Sequence, residues 1–115
     1  MQQPREYNFN NNQRQTQRVT LGLPIQISYG SQITIQGMLK DLSLKSAFII
    51  IKNSIYMQMN DEVSFAILRS PQNTEVIVQG MARISRISPG EGIAIYFTKM
   101  DENSTNRLKE IVVVP

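Results

Sequence analysis

The 115-residue chain contains no cysteine and no histidine. Disulfide staples, thiol nucleophiles, structural zinc sites and the commonest general base are thereby excluded. No apolar run approaches the ~20 residues needed to span a bilayer, and the opening Met1-Gln2-Gln3-Pro4-Arg5-Glu6 lacks the apolar core of a secretory signal. The expected location is therefore the cytoplasm, without membrane insertion. Hydrophobic residues at 41% and charged residues at 18% make an ordinary globular balance, and basic residues exceed acidic ones by a net +3. That excess permits a mild attraction to an anion but gives no argument for a DNA or RNA partner. The length leaves room for one domain and a tail.

The tail is the first feature present. Residues 1 to about 17 are roughly half Asn and Gln, with Tyr7 and Phe9 as their only large apolar groups. Such a stretch buries too little to offset its ordering entropy. Residues 1–12 are expected to be disordered, and residues 13–115 to form a single domain. The segment 13–18 is set apart because it holds two arginines.

From Leu21 onward the apolar residues recur with period two. Leu21, Leu23, Ile25, Ile27 and Tyr29 form one series, and after a Gly30-Ser31 turn Ile33, Ile35, Gly37 and Leu39 form the next. Ala47–Ile51 is a β-branched run that reads as a central strand. Val63, Phe65 and Ile67 precede the turn signal Ser70-Pro71-Gln72-Asn73. Val76, Val78, Gly80, Ala82 and Ile84 follow, then the turn Ser88–Gly92 and the series Ile93, Ile95, Phe97. These features predict an all-β fold: a six-stranded antiparallel closed β-barrel, with closure hiding the sheet edges. After Phe97 the period lengthens, with Asp101 as N-cap and Leu108, Ile111 and Val112 on one face, predicting one C-terminal α-helix. The β-branched finish Ile111–Val114 is poor helix material and is expected to fray or extend.

The carboxylates offer no paired acid/base spacing, no glycine-rich loop leads into a helix, and no metal-ligand cluster stands out. Catalysis is not expected, and neither a metal nor a cofactor is implied. Two short segments carry more information. Arg14-Gln15-Thr16-Gln17-Arg18 places two guanidiniums four residues apart, just before the first strand. Asp41-Leu42-Ser43-Leu44-Lys45-Ser46 follows the second. A guanidinium fork matches phosphate oxygens and the O6/N7 edge of guanine. A carboxylate, acceptor-only, complements the N1–H and N2–H₂ edge of the same base. A ligand holding both guanine and phosphate would use all of these groups. The ordinary alternative is that the arginines are solvated tail charges and Asp41 forms a turn.

On these residues the chain resembles the PilZ domain family, small bacterial barrels that recognise the second messenger cyclic di-GMP. The family signatures are R-x-x-x-R before the first strand and [DN]-x-S-x-x-G after the second. Arg14 and Arg18 fit the first; Asp41 and Ser43 fit the second, and Gly80 to Leu108 carries the weaker tail pattern. The resemblance implies that Arg14 and Arg18, on a flexible N-terminal arm, clamp phosphate and a guanine Hoogsteen edge. It further implies that Asp41 and Ser43 hold the polar base edge, with Ser46 on the same wall. Ser46 stands where the family usually has glycine, a residue that allows positive φ. A serine forced into that conformation would lose about 1–2 kcal/mol. Three outcomes follow: Ser46 is tolerated, it adds a hydroxyl contact, or nucleotide binding is lost.

The function implied is a stand-alone cyclic di-GMP receptor whose arm orders over the barrel and whose changed surface is read by an unidentified downstream protein. The competing reading is a degenerate adaptor working by protein–protein contact in pilus or motility machinery. A generic single-stranded nucleic-acid barrel would need aromatics along a basic groove, and Tyr29, Tyr56 and Tyr96 look too scattered for that. Lys45 and Arg83 read as outward barrel charge, and Arg86 stays open between that role and a place beside the site. Met57 and Met59 are expected to pack on the barrel end.

Overall fold

The computed structural model describes residues 22–30, 32–51 and 57–112. Arg14, Arg18, the arm that carries them and the tail boundary at residue 12 lie outside the described residues. Among the described residues, six strands and one helix occur in the predicted order: β1 (Pro24–Tyr29), β2 (Ile33–Leu42), β3 (Ser46–Ile50), β4 (Glu62–Leu68), β5 (Val76–Ser88), β6 (Gly92–Met100) and α1 (Glu102–Val112). Every pairing is antiparallel. The spatial order β1-β2-β3-β6-β5-β4 closes because β4 pairs back onto β1.

Alternation decides which side chains enter the barrel. Ile25 and Ile27 of β1, Ile49 of β3, Val63 and Ile67 of β4 and Ile93 and Ile95 of β6 are all essentially inaccessible and join one core cluster. Burying each such side chain stabilises by about 1.5–3 kcal/mol. Phe65 and Phe97 meet within the wall, with ring centroids 4.9 Å apart. The turns follow their residue chemistry. Gly30 and Gly90 supply positive φ, at 68° and 80°, and Ser70 Oγ accepts the N–H of Asn73 at 2.9 Å.

Helix α1 begins where expected. Asp101 Oδ1 accepts the Ser104 N–H at 2.7 Å, an N-cap contact. Ser104 Oγ in turn accepts the Gln79 N–H of β5 at 3.0 Å, pinning the helix to that strand. Leu108 and Val112 enter the core cluster. The helix runs through Ile111 and Val112, because burial of Val112 outweighs its weak helix propensity; residues 113–115 lie outside the described residues.

Several expectations need correction. A register slip between Ile67 and Leu68 takes Val76 out of the inward series, leaving it 42% exposed. Met57 packs into the core as expected, whereas Met59 is 53% exposed. In a closed barrel no strand is central, and Ile50 of β3 points outward. Asp41, expected to follow the second strand, lies within β2.

Candidate functional site

Asp41, Ser43 and Ser46 converge at the end of the β2–β3 hairpin, whose strands are joined by Ser43-Leu44-Lys45. None of these three residues has positive φ, since Asn60 is the single non-glycine with it among the described residues. Ser43 holds the turn by its side chain. Its backbone N–H donates to the Ser46 carbonyl at 2.9 Å. Its Oγ accepts the N–H groups of Lys45 and Ser46 at 3.3 and 3.2 Å. The Ser43 and Ser46 hydroxyls also lie 3.3 Å apart. Ser43 is only 3% exposed, so its hydroxyl is committed to building the turn.

Ser46 occupies ordinary extended backbone as the first residue of β3. The left-handed strain anticipated for a serine at this position is therefore missing from the chain as it stands.

Asp41 reaches the outer wall through a β-bulge. Leu39 faces the core, and strict alternation would turn Asp41 inward as well. The register shifts between Leu39 and Asp41, so that Lys40 is the extra residue and Asp41 pairs with Phe48. Its Oδ1 atom is shielded from solvent. A second bulge does the same on β5. Ile84 faces the core opposite Ile95, Ser85 is the extra residue, and Arg86 pairs with Ala94. Arg86 is thereby directed outward, and the inward series resumes at Ile87.

The two bulges place Asp41 and Arg86 on one rung. The pairs Asp41–Phe48, Phe48–Ala94 and Ala94–Arg86 run continuously across β2, β3, β6 and β5. With strands ~4.8 Å apart, the rung is roughly 14 Å long. The small Ala94 leaves a depression between larger neighbours, and a groove of about 510 Å³ opens there, lined by Asp41 and Ser46 at one end and Ser85 and Arg86 at the other. Phe48 forms part of its floor and is only 8% exposed despite facing outward. It is covered by two cations: Lys40 Nζ lies 5.8 Å and the Arg86 guanidinium carbon 5.4 Å from its ring centroid. Both lie within the range of a cation–π contact. Lys45 and Arg83 are exposed; Arg83 donates to the Asn60 carbonyl at 2.9 Å, away from the groove.

Lys40 and Phe48 were not among the candidate residues, and Arg86 was open. The signal for Arg86 and Asp41 is a break in phase. Leu39 is followed by Leu42, and Ile84 by Ile87; each is a step of three where the period is two.

The closed barrel thus carries on its outer wall a polar groove with Asp41 at one end and Arg86 at the other. A family model described as PilZ domain matches residues 12–113, and the chain belongs to the PilZ domain family, whose members are regulatory receptor and adaptor domains. A search of curated proteins gave no match. Among solved structures the chain is similar to the Bacillus subtilis inhibitor of motility MotI/DgrA, with TM-score 0.71 and 16% identity, over 90% of this chain and 50% of that one. The chain thus spans half the length of that relative. It is also similar to the PilZ domain of CeSA from a cellulose-synthesizing bacterium (TM-score 0.63, 21% identity, covering 84% and 94%). A third is the PilZ domain of Escherichia coli YcgR, whose structure was determined with c-di-GMP (TM-score 0.67, 14% identity, covering 89% and 90%). At these identities the likeness is one of fold. Among the described residues, no helix is long and apolar enough to cross a membrane.

Proposed function

We propose that this protein is a cytoplasmic cyclic di-GMP receptor whose site is formed by Arg14, Arg18, Asp41, Ser43 and Ser46, with Ser43 acting by shaping the hairpin that carries Asp41 and Ser46. The observation that carries the reading is the bulge at Lys40, which directs the Asp41 carboxylate outward into a groove it shares with Ser46. A carboxylate there accepts the N1–H and N2–H₂ of a guanine. Ser43 holds the hairpin in shape, and Ser46 lines the wall beside the base. Arg14 and Arg18 bring guanidinium forks to the phosphates and the Hoogsteen edge. Residues 13–115 act as one domain and residues 1–12 as a separate tail. The arm from residue 13 to 18 orders over the barrel when ligand binds, and charge-assisted hydrogen bonds offset the ordering entropy. A downstream protein then reads the altered surface.

Isothermal titration of the full chain with cyclic di-GMP tests this. Saturable binding is expected, with Arg14→Ala or Arg18→Ala each weakening it roughly tenfold or more, as for loss of a bidentate contact. An NMR titration should show residues 13–18 ordering at saturation. The second reading, an adaptor that does not bind nucleotide, is favoured by Ser46 in the glycine position. Absence of saturation would select it.

A further inference from the structure

We propose that Arg86, assisted by Lys40, forms an anion subsite that takes a phosphodiester group of the bound nucleotide at the end of the groove opposite Asp41. The inference rests on the receptor reading and adds a residue that neither sequence signature contains.

Three observations converge on Arg86. The first is the bulge at Ser85, which directs this side chain outward where alternation would bury it. A bulge interrupts ladder hydrogen bonds and commonly re-aims a side chain beside a functional site. The same device directs Asp41 outward, on the same rung. The second is the small Ala94 between Arg86 and Phe48, across which the guanidinium leans to within 5.4 Å of the Phe48 ring centre. The third is a second cation at the same ring, with Lys40 Nζ at 5.8 Å. The aromatic quadrupole holds both cations at the groove, where an oxyanion could reach them.

Asp41 and Glu91 also line this groove, so its formal charge balances and it has no bulk attraction for anions. Recognition has to be positional. The Asp41 end suits hydrogen-bond donors, and the Arg86 end suits an oxyanion. A guanine edge and a phosphodiester, separated by a ribose, present that polarity within a rung of roughly 14 Å.

The test uses Arg86→Met, which keeps an apolar stem over Phe48 while deleting the charge and fork, with Arg83→Met as the control. Cyclic di-GMP is titrated into each full-length variant at low and at high salt. Arg86→Met is expected to bind on the order of tenfold more weakly at low salt. Its affinity should also depend less on ionic strength, because one screened contact is gone. Its unfolding midpoint should match wild type, and Arg83→Met should bind as wild type does. Wild-type affinity with an unchanged salt dependence in Arg86→Met overturns this inference while leaving the receptor reading intact. Equal weakening in both variants overturns it too, showing a general field effect. Failure of the wild-type chain to saturate removes the receptor reading and this inference together.

Discussion

Ser43 Oγ accepts the backbone N–H groups of both Lys45 and Ser46, at 3.3 and 3.2 Å, so one side chain holds the β2–β3 connection. Ser43 is therefore part of the turn that carries Asp41 and Ser46. Ser43→Ala leaves two backbone donors without the hydroxyl at a site only 3% exposed. It should cost about 1–3 kcal/mol, and each kcal/mol lowers the unfolding midpoint of a domain this size by about 4–8 °C. Thermal unfolding followed by circular dichroism measures this. An unchanged midpoint would show that water replaces the hydroxyl without loss.

The helix start makes a second expectation. Asp101→Ala removes the oxygen that accepts the Ser104 N–H at 2.7 Å, a change that typically costs about 1 kcal/mol. Ser104→Ala separates the helix from the Gln79 N–H. Because both substitutions act through one residue pair, the double variant should fall short of the sum of the singles. Additive losses in denaturant unfolding would show that cap and tether act independently.

The barrel was readable from sequence because its inward residues are β-branched and strictly alternating, as in Ile25/Ile27 and Ile93/Ile95. The helix was readable from Asp101 and the spacing of Leu108 and Val112. Reading stopped where alternation breaks. A bulge is one residue long and leaves only a step of three, Leu39 to Leu42 or Ile84 to Ile87, which looks like noise within a strand. Those are the places where Asp41 and Arg86 turn outward. The run Ala47–Ile51 reads as a central strand, and only the register shows that Phe48 within it faces the groove under Lys40 and Arg86. Whether Ser46 is strained was open in the sequence for a related reason. Spacing can name a motif position but cannot supply the φ adopted there.

The loop closing β4 to β5 holds an ion pair with a pH signature. Arg69 Nε donates to Glu75 Oε1 at 2.7 Å, and this hydrogen bond, with the attraction of the guanidinium, holds the Glu75 carboxyl below its usual value. A depressed folded-state value means the pair's contribution is present above the ordinary glutamate range and is lost as pH falls through the folded value. The pair is exposed and screened, so the effect on stability is small. NMR titration of the Glu75 side chain should show the depressed value, and Arg69→Met should restore an ordinary one. No change in Arg69→Met would mean the contact does not persist in solution.

Two glycines should respond differently to the same substitution. A Cβ on Gly92 would collide with the Ile49 carbonyl of β3, and backbone cannot yield there without opening the β3–β6 ladder. Gly92→Ala should prevent recovery of a cooperatively folded barrel. At Gly90 a Cβ meets nothing within 4 Å, but φ is 80°. Gly90→Ala should therefore fold, with a loss of about 1–2 kcal/mol from left-handed strain. A cooperative unfolding transition for Gly92→Ala near that of wild type would contradict the close approach.

Ser46→Gly restores the residue the family usually carries. Ser46 already has extended backbone, so glycine relieves no strain in the free chain. It removes a hydroxyl 3.3 Å from that of Ser43 and adds freedom to the unfolded state, a loss of about 0.5–1 kcal/mol in stability. If β3 keeps this backbone when cyclic di-GMP binds, affinity should stay within roughly twofold of wild type, the range of a change below 0.5 kcal/mol. If binding instead forces residue 46 into positive φ, the serine carries about 1–2 kcal/mol of strain only in the complex. The glycine variant would then bind about tenfold more tightly. Paired titrations of wild type and Ser46→Gly read this difference directly, and the expected result is near-equality. A tenfold gain would mean the hairpin rearranges on binding and the serine weakens the receptor.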